Sequence, residues 1–143
     1  MRDYIASPFF TDVQRDMVRK IARRLRSWGN DVYVPMEHEI PAAWEKPNAQ
    51  WAKEVFEEDR KAIDNSDAVI VINWGMNVDT GTAWECGYAC GIGKKVLQII
   101  PKENEIYSLM MINCTPGIYL PDEFITGKPL FELEELLARI EQK

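Results

Sequence analysis

Two carboxylates bracket a run of small residues in Asp79-Thr80-Gly81-Thr82-Ala83-Trp84-Glu85-Cys86-Gly87-Tyr88-Ala89. The run follows a strongly apolar segment, Ala68 to Ile72, and opens a helix-like stretch, which puts both acids at the carboxyl end of a strand. In open α/β sheets ligands bind in that crevice. A carboxylate there can serve as a nucleophile, as an acid, or as a ligand for a sugar hydroxyl. Glu85 also has a plainer reading, because Thr82-x-x-Glu85 matches a capping box that would only satisfy a helix N-terminus. Against that reading, Ala83, Gly87 and Gly91 share one helix face and let backbone or ligand approach closely.

Asp59 is a second anomaly. It lies four residues after Val55 and three before Ala62, on the apolar face of its own helix. A buried carboxylate is costly unless it is paired or shifts its pKa, and perturbed acids collect at active sites. A boundary position that reaches solvent is the alternative. Ser7-Pro8-Phe9-Phe10 follows the first strand and falls at the same carboxyl edge, where the two aromatics would stack on a planar ligand or cap the core. Tyr4, within that strand, is placed to reach a carboxylate through its hydroxyl.

The elements that must position these groups follow from periodicity and punctuation. Tyr4–Ala6 reads as a strand. Thr11-x-x-Gln14 is a capping box opening a helix whose stripe is Val13, Met17, Ile21, Leu25 and Trp28. Asp31–Val34 is a second strand, followed by a polar loop carrying Pro41 and Pro47. A helix over Trp51–Ile63 turns Trp51, Val55, Phe56, Ala62 and Ile63 to one side. Ala68–Ile72 is a strand buried on both faces. Gly81–Ile92 is a helix, Val96–Ile100 a strand, Ile106–Ile112 a short helix, Ile118–Leu120 a strand and Leu130–Ile140 a terminal helix.

Strands alternating with helices give one α/β domain over residues 1–143, a flavodoxin-like or Rossmann-like parallel sheet of about five strands with helices on both faces. GxGxxG and the Walker loop are both absent, so neither a dinucleotide nor a P-loop reading has support.

Composition narrows the partners. A net charge of −6 argues against nucleic acid, which needs a basic footprint. The Arg and Lys residues between Arg15 and Arg26 read as the solvated face of their helix. No apolar run is long enough to cross a bilayer and no signal-peptide pattern opens the chain, so a cytoplasmic protein is expected. Cys86, Cys90 and Cys114 have no disulfide-framework or zinc spacing and read as buried free thiols.

Taken together, Tyr4-Ile5-Ala6-Ser7-Pro8-Phe9-Phe10, Glu58-Asp59, Asp67-Ala68 and the segment from Asp79 to Ala89 resemble the nucleoside 2-deoxyribosyltransferase family, in order and over nearly the whole chain. The resemblance implies that Glu85 is the nucleophile. It would attack the anomeric carbon of a 2′-deoxynucleoside and form a covalent deoxyribosyl-enzyme, from which a second base takes the sugar with net retention. Asp59 would exchange a proton with the leaving and entering bases, Asp79 would accept from the sugar 5′-hydroxyl, Tyr4 would orient Glu85, and Phe10 would border the base. Ser7 and Gly81, inside the matched motifs, would also contact substrate. The resemblance implies no metal or organic cofactor. It also implies a homo-oligomer, a dimer or an assembly of dimers up to a hexamer, whose site a neighbouring subunit completes.

Two positions depart from the family pattern. Glu39 stands where relatives place a glutamine, and a carboxylate only accepts where an amide also donates, so base preference is expected to tilt toward bases that present amino or imino protons. Ser108 replaces an asparagine supplied by the neighbouring subunit. A serine there is a feature of the related 2′-deoxynucleoside 5′-monophosphate N-glycosidases, hydrolases that bind a phosphate. Those enzymes also tend to replace the acid at Asp79, whose charge here would repel a phosphate dianion. Base exchange on nucleosides is the leading expectation, nucleotide N-glycoside hydrolysis the alternative, and a non-catalytic nucleoside- or nucleotide-binding module the least favoured.

Overall fold

Five apolar residues in a row can be buried only where a sheet is covered on both faces. Ala68–Ile72 (β3) is such a strand, with every residue buried. In the computed structural model, which describes residues 1–38, 40, 42–75, 79–101 and 108–141, β3 lies parallel between β1 (Arg2–Ala6) and β4 (Lys95–Ile99). β2 (Asp31–Tyr33) adds to β1 and β5 (Gly117–Tyr119) to β4, both parallel. A two-residue strand, β6 (Phe131–Glu132), closes the far edge antiparallel to β5, giving the order β2-β1-β3-β4-β5-β6.

Alternation along the strands divides the core between two faces. Ile5, Ala68, Ile70 and Ile72 pack with Val18, Ile21, Ala22 and Leu25 of α1 (Asp12–Ser27) and with Phe124 of α5 (Pro121–Thr126). Tyr4, Ala6, Val69 and Val71 point the other way. They meet Ile63 of α2 (Asn48–Asp64), Cys86 and Ala89 of α3 (Thr80–Gly91), and Met111 of α4 (Leu109–Ile112). Leu136 of α6 (Leu133–Glu141) packs with Ile100, Ile112 and Ile118 beyond β4. No helix among the described residues is long and apolar enough to cross a membrane.

A buried amide network ties three elements together behind the site. Asn73, just past β3, donates through Nδ2 to Gln98 Oε1 of β4 at 3.1 Å and accepts from the Gly75 backbone N–H at 2.9 Å. Gln98 in turn donates to the carbonyl oxygen of Met111 in α4. Buried amides are tolerable only when so satisfied, and this set pins α4 to the carboxyl end of β3.

The structure corrects several sequence expectations. The capping box at Thr11 and Gln14 forms. The α1 stripe, however, is Val18, Ile21, Ala22 and Leu25, whereas Val13 and Trp28 are exposed. On α2 only Ile63 is fully buried, and Trp51 and Phe56 face outward. Helix α5 and strand β6 were not expected. Leu130 precedes β6, so the terminal helix starts only at Leu133. Gly117 permits this edge pairing, since a Cβ there would lie 2.5 Å from the Phe131 carbonyl oxygen. The short fourth helix spans only Leu109–Ile112 with Ser108 as its N-cap, and Ile106 and Tyr107 of its expected range, like Pro41, lie outside the described residues. Cys86 is buried as expected, but Cys90 is exposed.

Candidate active site

The chain after β1 leads to α1 on one face of the sheet, and the chain after β3 leads to α3 on the other. Adjacent strands whose connections diverge open a crevice at their carboxyl ends, the usual ligand position in this architecture. Tyr4 of β1 is fully buried on the α2–α3 side of that crevice, and the helices bring Asp59 and Glu85 to it.

Burial is the main cause of the unusual ionisation of both acids. Glu85 is pushed up to about 7 by desolvation, with the charges of Asp59 and Asp79 adding to the rise and Tyr4 opposing it. Asp59 rises to about 6, again through burial and the neighbouring Glu58, while Tyr33 and His38 pull it down. Among the described residues neither the Tyr4 hydroxyl nor Glu85 Oε2 has a partner at strict hydrogen-bond geometry. The two groups still act on each other: the hydroxyl favours the Glu85 anion, and burial together with Glu85 holds the proton on Tyr4. Catalytic contacts of this kind tighten in the complex with substrate.

A cleft of about 390 Å³ opens over the two acids. Its described walls are Trp51, Ala52, Val55, Phe56 and Asp59 of α2 and Gly81, Trp84 and Glu85 of α3. Phe56 meets Trp84 edge-on at 5.2 Å, and Trp84 stacks on Tyr88 at 5.0 Å. Helical periodicity groups Trp51 and Phe56 with Ile63 on one side of the helix and gives Trp84 no role. Their helical spacing marks a face but cannot say whether that face is covered. A mostly apolar, aromatic-walled cleft with two carboxyls suits a planar heterocycle bonded to a carbon that will bear positive charge.

Two further residues at the site escaped the sequence reading. Tyr33, at the end of β2, donates its hydroxyl to Asp59 Oδ1 at 3.5 Å. Its ring stacks on Tyr4 on one side and on His38 on the other, with centroids 5.5 Å and 4.1 Å apart. The parallel pairing of β1 with β2 could have signalled this, because Tyr4 and Tyr33 each occupy the third position of their strand.

The capping-box reading of Glu85 is overturned. Asp79 is the N-cap of α3, and its Oδ2 accepts from the Thr82 backbone N–H at 3.1 Å and the Thr82 hydroxyl at 3.3 Å. Glu85 is therefore released from any capping duty. Gly81 allows the cap, since a Cβ at that position would come within 3.0 Å of Asp79 Oδ2.

The remaining expected site residues are less closely gathered. Ser7 is buried at the carboxyl end of β1 and donates to the Pro8 carbonyl oxygen at 2.9 Å. Phe10 is 70% exposed and stacks on Phe9, and Gln14 Oε1 accepts from its backbone N–H. Ser108 caps α4, its hydroxyl accepting from the Met111 N–H at 3.4 Å. None of these three is among the described walls of the cleft. Glu39 lies outside the described residues. Among the described residues no group of three or more His, Cys, Asp or Glu side chains is arranged to hold a metal ion.

The family model described as nucleoside 2-deoxyribosyltransferase matches residues 4–126, a span holding every site residue named above. The chain belongs to the nucleoside 2-deoxyribosyltransferase family. Among solved structures, the 2-deoxyribosyltransferase of the psychrotolerant bacterium Bacillus psychrosaccharolyticus is 29% identical at a TM-score of 0.80, over 95% of this chain and 96% of that one. Two more distant structures share the fold of this family member. A conserved protein of Enterococcus faecalis is 18% identical, with a TM-score of 0.62 and coverage of 99% and 98%. The CMP N-glycosidase of Clostridium botulinum is 20% identical, with a TM-score of 0.58 and coverage of 89% and 97%. A comparison with curated proteins gives no significant match.

Proposed function

We propose that this deoxyribosyltransferase-family protein exchanges nucleobases on 2-deoxyribose through a covalent intermediate on Glu85. The observation that carries the reading is the pair of carboxyls, Glu85 and Asp59, desolvated on one aromatic cleft. A Glu85 carboxylate oxygen bonds to C1′ as the C1′–N bond breaks, and the departing base nitrogen takes its electron pair and the Asp59 proton. An incoming base then attacks C1′, yields its proton to Asp59 and frees Glu85. Two inversions leave the β configuration. Proton delivery makes the base a better leaving group, which suits an acid whose pKa burial has raised.

Asp79 favours a nucleoside over a nucleotide. The N-terminus of α3 faces the crevice and would attract a phosphate, but the Asp79 carboxylate already occupies it. In this reading the same carboxylate would accept from a 5′-hydroxyl, and Ser7, Gly81 and Phe10 would complete the sugar and base surroundings. Ser108 supports a second reading, hydrolysis of a deoxynucleotide, in which its hydroxyl turns to a phosphate. Next to it Leu109 and Met110 are 54% and 83% exposed, apolar side chains that suit contact with a second subunit.

Incubating the wild type and Glu85→Ala with 2′-deoxyadenosine or its 5′-monophosphate, with and without cytosine, separates these readings by chromatography. Base exchange predicts 2′-deoxycytidine from the nucleoside only. Release of adenine from the monophosphate without cytosine would favour the hydrolase. Binding without turnover, unchanged in Glu85→Ala, would reduce the site to a binding module.

A further inference from the structure

We propose that Tyr33 is the positioning residue for Asp59, holding the acid toward the base through its hydroxyl while His38 clamps the tyrosine ring in place. The inference rests on the base-exchange reading above. Asp59 sits on a helix whose exposed face would otherwise let its carboxyl swing to solvent, and the one side-chain hydrogen bond described for it comes from Tyr33. Tyr33 is itself held in a parallel stack, Tyr4 at an interplanar angle of 9° on one side and His38 at 6° on the other. The hydroxyl is therefore presented by a ring that two neighbours keep from rotating, which is how a supporting shell fixes a proton donor. Tyr33 and His38 also line a polar cleft of about 550 Å³ between β2 and α2, with Glu58, Lys61, Arg26 and Glu37. The Tyr33–Asp59 hydrogen bond thus joins a residue of this polar cleft to an acid on the wall of the apolar one.

Glu58 on its own helix, Tyr33 of β2 and His38 beyond it act on Asp59, and Asp59 in turn acts on Tyr4 of β1 and Glu85 of α3. Among them Tyr33 donates a hydrogen bond that favours the anion, so removing its hydroxyl should make Asp59 a weaker acid. Tyr33→Phe keeps the stack and deletes only the donor.

The test has two arms. Carbon-13 NMR of the Asp59 carboxyl, followed against pH without substrate, should show a midpoint displaced upward in Tyr33→Phe. An unmoved midpoint overturns the proposal. In turnover at pH 5, where Asp59 is largely protonated in both proteins, kcat/KM for 2′-deoxyadenosine should fall about tenfold, part of the usual contribution of a general acid. For a 2-deoxyribosyl donor that releases 4-nitrophenolate, a stable anion needing no proton, the change should be under about twofold. Equal losses on both donors also overturn it, because a general distortion would not discriminate between leaving groups. If the wild type turns over neither donor, base exchange fails as the function, and the NMR arm still decides the link between Tyr33 and Asp59.

Discussion

Tyr4 and Tyr33 stand side by side on neighbouring parallel strands, their rings stacked with centroids 5.5 Å apart and planes within 9° of parallel. Tyr4 turns its hydroxyl to the Glu85 side and Tyr33 to Asp59. One aromatic stack therefore addresses both carboxyls, and the sheet register that creates it also sets where each acid can sit.

The pH dependence follows from the two shifted acids. Attack needs Glu85 ionised, and departure of the base needs Asp59 protonated. Glu85 titrates at about 7 and Asp59 at about 6, so both change charge over the same short span of pH. We expect kcat/KM to rise with pH, peak between those two values and fall again in a narrow bell, the limbs belonging to the pair. A flat plateau from pH 5 to 9 would contradict this.

Stability should carry the same signature. Unfolded, Glu85 titrates near 4.5; folded, near 7. Between these limits the folded protein binds more protons than the unfolded chain, so stability is highest below the lower value and falls as pH rises through the upper one. Glu85→Gln, which cannot ionise, should be more stable than the wild type by about 1–2 kcal/mol at pH 8, discounted because the carboxyl is still partly open to water. At pH 4.5 the two should nearly match. Urea unfolding at both values checks the sign, and a variant less stable at pH 8 would be the opposite outcome.

Asp79 joins a structural task to a binding one, and substitution can separate them. Asp79→Ala removes the α3 cap and should cost about 1 kcal/mol. Asp79→Asn keeps a good capping side chain and should lose little stability, yet it removes the charge that repels phosphate. The Asn variant should therefore gain activity on a 5′-monophosphate relative to the nucleoside. Gly81→Ala should lose part of the capping stability, because its Cβ crowds Asp79 Oδ2. Thermal unfolding and the ratio of kcat/KM values measure both effects.

Much of this site was legible in the sequence because its signals are local. The five-residue apolar run gave β3, the capping box at Thr11 gave the start of α1, and Asp59 stood out on an apolar helix face. What was hidden depends on distant packing. Thr82-x-x-Glu85 looked like a cap because the pattern cannot show that Asp79, three residues before Thr82, reaches the same N–H first. Trp51 and Phe56 shared a helix face with Ile63, yet they wall the cleft, because spacing records a face and not what covers it. Tyr33 and His38 went unnoticed because their role comes from a strand pairing between residues far apart in the chain.

The central claim is a covalent bond between Glu85 and the sugar. A 2′-deoxy-2′-fluoroarabinosyl nucleoside offered without an acceptor base should trap it, since the fluorine slows both steps by destabilising the oxocarbenium-like transition state. Intact-protein mass spectrometry should then show a gain of one fluorinated pentosyl group, mapped to the peptide carrying Glu85 and discharged by added adenine. An unmodified mass, in a preparation that still exchanges bases on ordinary 2′-deoxynucleosides, would contradict the account.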